Sequence, residues 1–293
     1  MTVNLLYVAC PDIDTIFQVC TPKNNLCGSI GVKGRPAYLG IDKLRNRLLA
    51  LVPDQRAIKI IDLVTNKVTN SLRIPLIVEP SYMIISEDGE HAFVLEGKRN
   101  FLYRFDLISG DLEERVAICQ HPNYLTYFND QGLLAISSEL SQSIIFVNSE
   151  NFEKTAELSV GGSPQGMAAA NGQLYVAENQ TNSVSMLNPQ SRLVQKRVSV
   201  GIAPRRLLSA PQKIYCTNFR GKSISVLRQN DLGAIQTIKL NDVPLEMVFH
   251  NRHNKLFVGE KNTAGIGIID TNINRVVGHI PLGAEPLGLA LIQ

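Results

Sequence analysis

The chain has no tryptophan and only five cysteines among 293 residues. Without tryptophan, the signature dipeptide of WD40-like repeats is missing. The cysteines are Cys10, Cys20, Cys27, Cys119 and Cys216. An odd number without metal-ligand spacing argues against a zinc site and against a dense disulfide framework. Cys20 and Cys27 flank a hairpin turn and could face each other, so a bridge and a pair of reduced thiols both stay open. No apolar run approaches 18 residues, which excludes a membrane-spanning helix. Charge of one sign is scarce as well. Lys and Arg number 29 against 26 Asp and Glu, a net +3, too mild a balance to imply a nucleic-acid partner. Leu5-Leu6-Tyr7-Val8-Ala9-Cys10 follows no basic residue and is too short for a secretion signal. We therefore expect a cytoplasmic, monomeric protein, the alternative being export with a signal peptide removed. The sequence also lacks a Gly-x-Ser-x-Gly elbow, a P-loop, a dinucleotide glycine motif after a strand, and a Cys-x-x-Cys-His haem site.

What is present is a repeat. Pro36, Pro80, Pro122, Pro164, Pro204, Pro244 and Pro286 follow one another at intervals of 44, 42, 42, 40, 40 and 42 residues. Strand-like sequence repeating near forty residues points to propeller blades. Thirty-five residues precede Pro36 and eight run from Pro286 to Gln293, one further repeat between them. The register never breaks, so 1–293 reads as one domain. Blade 1 is 1–35 plus 286–293, and blades 2 to 7 start near the first six prolines.

Each unit carries four strand-like segments. The first follows the proline, as in Tyr82-Met83-Ile84-Ile85. The second is a near-continuous apolar run, such as Leu174-Tyr175-Val176-Ala177, and suits a strand buried on both faces. The third is β-branched or alternating and ends on Asp62, Asp106, Asn148, Asn188 or Asp270, residues that close turns; Arg228 breaks this rule. The fourth alternates openly, as in Lys67-Val68-Thr69-Asn70-Ser71-Leu72, and should be outermost. These features predict an all-β, seven-bladed β-propeller with four antiparallel strands per blade. The C-terminal strand should complete the N-terminal blade and close the ring. Gly166, Ala168, Ala169, Ala170, Gly288 and Ala290 fit crowding of the innermost strands around the axis.

Tyr215-Cys216-Thr217-Asn218, Tyr175-Val176-Ala177-Glu178 and Tyr7-Val8-Ala9-Cys10 resemble the tetrapeptide of the YVTN β-propeller repeat family. Val160-Gly161-Gly162-Ser163-Pro164 and Val200-Gly201-Ile202-Ala203-Pro204 resemble its Val-Gly-x-x-Pro opening. The likeness spans the whole chain, strongest in the last three units. It implies the propeller fold and no single activity.

Propeller sites lie at the mouth of the central channel. The loop into the inner strand and the loop out of the second strand share one face, here called the upper face. It should carry Arg35, Glu79, His121, Arg205 and Glu285 beside the prolines, and Glu96, Glu178, Asn218 and Glu260 at the fourth tetrapeptide position. Glu96, Glu178 and Glu260 recur in alternate units and could aim carboxylates at one funnel. With Asn218 and His121 they are donors that a divalent cation accepts. The sixth unit is basic, and Arg205, Arg206, Arg220 and Lys222 should lie near the same face. His250 and His253 flank a turn on the opposite face and read as solvated. The absence of a catalytic motif favours a non-enzymatic propeller binding a protein, glycan or small anionic ligand on its upper face, without a cofactor. The alternative is a metal-dependent, lactonase-like hydrolase or a lyase using the funnel.

Overall fold

The computed structural model describes residues 4–118, 120–128 and 132–293. Seven four-stranded antiparallel sheets form a ring, with only two single-turn 3-10 segments between strands among the described residues. Blade 1 joins Leu5–Cys10, Thr15–Cys20 and Asn25–Gly31 to the last strand, Gly288–Ile292. That strand pairs antiparallel with the first, from Leu5 opposite Ile292 to Ala9 opposite Gly288. The two chain ends therefore close the ring, as the repeat count predicts. The inner strands of blades 2 to 7 are Tyr38–Asp42, Pro80–Ile85, Pro122–Phe128, Pro164–Ala170, Pro204–Ala210 and Pro244–His250.

The second strands are the core. Residues such as Leu48, Leu49, Ala50, Leu51 and Val52 are fully buried, because each sheet is covered on both faces by its neighbours. The fourth strands are mostly exposed, the half-polar pattern of an edge. The Asp or Asn that ends the third strand forms the expected turn. Asp62, Asp106, Asn148, Asn188 and Asp270 each accept backbone N–H bonds from residues two and three further on. In the sixth blade Arg228 instead pairs with Asp231, which takes over the turn by accepting from Gly233 N–H.

Crowding at the axis explains two glycines. A Cβ on Gly166 would meet the Arg205 carbonyl oxygen at 2.5 Å and the Arg206 Cα at 2.8 Å, and one on Gly288 would run into the Ala37 carbonyl. Neighbouring inner strands approach backbone to backbone there, which only glycine permits.

Cys10 and Cys216 are buried core residues, and burial raises both thiol pKa values, that of Cys10 to about 12. Cys20 and Cys27 are free thiols, so the hairpin is not bridged. Cys119 lies outside the described residues. No helix among the described residues is long and apolar enough to cross a membrane.

Candidate functional site

The carboxylates at the fourth tetrapeptide position do not converge on the funnel. Each is turned into its own blade. Glu96 is fully buried and accepts from Val78 N–H and Tyr103 O–H, both at 2.7 Å. Burial, and then this hydrogen bond, push the Tyr103 hydroxyl up to about 12. Glu178 accepts from Thr181, Ser183 and Ser185 and pairs with Arg197 at 2.9 Å. Asn218 donates to Ser223 and Ser225 at 3.0 Å each. Glu260 accepts from Thr263 at 3.2 Å and meets His279 Nε2 at 3.1 Å. These groups tie the second strand to the third and fourth strands and the connecting hairpin. Glu96, Glu178 and Glu260, the candidate metal carboxylates, are therefore each held within a separate blade. Among the described residues no group of three His, Cys, Asp or Glu side chains could hold a metal ion. The physical reason is strand parity, because the last residue of a doubly covered strand faces a neighbouring sheet and not the axis.

The axis is lined from another register, two residues beyond each proline. The seven positions are Tyr38, Tyr82, Tyr124, Gly166, Arg206, Glu246 and Gly288. Three tyrosines from consecutive blades meet around the channel with tilted rings, centroids 4.6 Å apart at 58° for Tyr38–Tyr82 and 4.6 Å apart at 44° for Tyr82–Tyr124. The Arg206 guanidinium lies 4.8 Å from the Tyr124 ring centroid and 5.9 Å from that of Tyr82, within cation–π range. Its Nε donates to Glu246 at 2.9 Å. Burial pushes the hydroxyls of Tyr38, Tyr82 and Tyr124 up, Tyr124 to about 12. For Arg206 burial alone would lower the pKa, but Glu246 and the tyrosines outweigh it and the guanidinium is held charged more firmly than usual.

Above this plug of tyrosines, Arg206 and Glu246 opens a cavity of about 520 Å³ that brings Glu79, His121 and Arg205 together. A smaller one of about 150 Å³ shares Arg205 and Arg206 and adds Lys261 and Glu285. Glu79 pairs with Lys98 at 3.2 Å, Lys261 with Glu285 at 4.0 Å, and His121 Nδ1 lies 3.8 Å from Glu139. Arg35 stands apart in an exposed pair with Asp12 at 3.1 Å.

Arg205 is different. Its guanidinium stacks 5.0 Å from the Phe219 ring centroid and makes no hydrogen bond or ion pair with a described residue. Burial, and then the neighbouring Arg206, lower its pKa. Of the other basic residues of the sixth blade, Arg220, Lys222 and Lys239 are exposed, whereas three are engaged. Arg206 is buried on Glu246, Arg228 is neutralised by Asp231, and Lys213 donates to the Thr271 carbonyl and Asn274. Sequence reading placed Arg205 at the mouth but missed the tyrosines and Glu246. The signal was available in the residue two beyond each proline.

The lower face holds a correction. His250 is fully buried and its ring packs against that of His253, tilted by 49° with centroids 4.4 Å apart. Neither ring nitrogen has a hydrogen-bond partner on another described residue. Burial, then His253, hold its pKa down to about 4. The neutral ring is therefore the folded form. Its contribution is complete above the ordinary histidine pKa near 6.5 and is lost as pH falls towards 4. We expect folding free energy, from urea titrations, to drop by roughly 2 kcal/mol between pH 7 and 4.5 through this group. His250→Leu should flatten that slope; an unchanged slope would remove His250 as its cause.

No family model and no curated protein matches the sequence. Solved structures do match its shape. A functionally unknown protein from Desulfotomaculum acetoxidans superposes with a TM-score of 0.87 at 13% identity, covering 99% of both chains. Dihydro-heme d1 dehydrogenase NirN, in complex with DHE, gives 0.77 at 11% identity over 99% of this chain and 75% of that one. Hydrazine synthase of Kuenenia stuttgartiensis gives 0.77 at 13% identity over 86% and 88%. At these identities the likeness shows the seven-bladed fold alone.

Proposed function

We propose that this protein is a non-enzymatic, YVTN-type propeller whose upper channel mouth binds a ligand through an anionic group. Arg205 carries the reading. A half-buried guanidinium with no carboxylate in contact, only Glu246 and Glu285 at longer range, is costly unless something supplies the missing charge. Here it edges a cavity of about 520 Å³, large enough for a small ligand or a short segment of a partner. Arg206 cannot play that part, because Glu246 already neutralises it. Tyr38 lines the cavity from the tyrosine cluster, and blades 3 to 6 supply the rest of its wall. The YVTN reading is supported by Tyr215-Cys216-Thr217-Asn218, whose Asn218 secures the following hairpin through Ser223 and Ser225. The free Cys20 and Cys27 fit a reducing, cytoplasmic setting.

A ligand that binds only the folded protein raises its melting temperature by mass action. In a panel of small organic anions and acidic peptides, at least one class should raise the melting temperature of the native protein and not of Arg205→Gln. A panel that shifts neither, or both equally, would overturn the reading.

A further inference from the structure

The residues immediately after the seven prolines divide the mouth into two arcs. Blades 3 to 6 contribute Ser81, Asn123, Gln165 and Arg205, whereas blades 7, 1 and 2 contribute Leu245, Leu287 and Ala37. All four polar members line the same cavity of about 520 Å³, together with Tyr38, the half-buried end of the tyrosine cluster. Gln165 makes no hydrogen bond with any described residue, so its donor and acceptor are both open. Asn123 accepts from Ser137 at 2.6 Å and donates to the Pro164 carbonyl at 3.5 Å, and Ser81 donates to the Leu95 carbonyl at 3.3 Å, which leaves one amide N–H of Asn123 and the hydroxyl oxygen of Ser81 as acceptor for a ligand.

Charge narrows the class further. Arg205, Arg206, Lys98 and Lys261 face Glu79, Glu246 and Glu285 around the two cavities, which share Arg205 and Arg206, four cations against three carboxylates, with His121 beside Glu139. The remainder is a single positive charge at Arg205. A phosphate monoester carries about −1.5 to −2 and would leave negative charge uncompensated. A carboxylate carries one and matches the guanidinium edge bidentately. Next to it stands a row of amide and hydroxyl groups, with an aromatic ring below. That combination suits a ring bearing one carboxylate, several hydroxyls and an apolar C–H face.

We infer that the mouth binds an acidic sugar of the uronate type, with its carboxylate on Arg205, its hydroxyls on Gln165, Asn123 and Ser81, and its C–H face against Tyr38. The inference rests on the upper mouth being the ligand site, as proposed above, and adds the class of ligand.

The test is calorimetric titration of the full chain with galacturonate, its methyl ester, glucose 6-phosphate, inorganic phosphate and a polyglutamate peptide. Galacturonate should bind. Its methyl ester keeps the ring and hydroxyls but loses the charge, and should bind roughly 10- to 100-fold more weakly, the range for a hydrogen-bonded charge. Arg205→Gln should weaken galacturonate by a similar factor and leave the ester unchanged. Gln165→Ala should weaken both sugars several-fold, and Arg228→Gln, remote and exposed, neither. If phosphate, glucose 6-phosphate or the peptide binds through Arg205 and galacturonate does not, the sugar assignment falls while the mouth remains a ligand site. If galacturonate binds equally well to Arg205→Gln, or no probe binds in an Arg205-dependent way, the assignment is overturned together with that role for Arg205.

Discussion

Deleting residues 286–293 should abolish cooperative folding. The lost strand pairs with Leu5–Ala9 and supplies the inner strand of blade 1. Its removal uncovers Leu6, Tyr7 and Val8, each at most 1% exposed, and leaves blades 7 and 2 without the strand between them at the axis. Each large apolar side chain returned to water costs about 1.5–3 kcal/mol. Three of them, with Leu289 besides, approach the about 5–15 kcal/mol that holds an ordinary domain folded. The unpaired edge of Leu5–Cys10 would also be an aggregation template. We expect aggregated protein, or a melting transition lowered by tens of degrees. A soluble truncated chain with an unchanged midpoint would refute closure through the tail. Adding back a peptide of residues 286–293 should restore part of the stability, because the pairing is between separate chain ends.

Replacing Arg206 by Met should destabilise the protein by about 3–5 kcal/mol, the usual cost of removing one member of a buried ion pair. Glu246 would keep its charge with its partner gone, and the rings of Tyr82 and Tyr124 would lose the cation beside them. The double variant Arg206→Met with Glu246→Met should recover much of that loss, since an apolar pair of similar volume leaves no charge stranded. Urea denaturation of the two single variants and the double gives the coupling directly. Strict additivity, or a single-variant cost below about 1 kcal/mol, would show that the plug does not hold the axis. Arg205→Gln should not destabilise the protein in the same assay and should be neutral or stabilising, because it removes a half-buried charge beside Arg206. That contrast separates the structural arginine from the one proposed to bind ligand, although they are adjacent in sequence.

The two arginines illustrate what local sequence conveys. Both follow Pro204 and both were visible as basic residues near the upper face. Strand alternation sends one towards the rim and the other into the axis, but the partner that neutralises Arg206 comes from the next blade, 40 residues on. The same holds for Glu96, Glu178 and Glu260. Their recurrence was legible, but their direction depended on Tyr103, Ser185 and His279 on the following strands. His250 ends a strand beside a polar turn, a position that suggests a solvated ring, whereas packing around it excludes water.

By itself the sequence determined the number of blades, the order of strands within each blade and the joining of the two ends. Those follow from proline spacing, turn residues and the period-two pattern, all local properties of a chain that repeats one small sheet. Only the tertiary structure decided which polar groups meet. Around a ring, residues about forty apart become neighbours, and whether a charge is neutralised, buried or left open is settled by what the adjacent blade places against it.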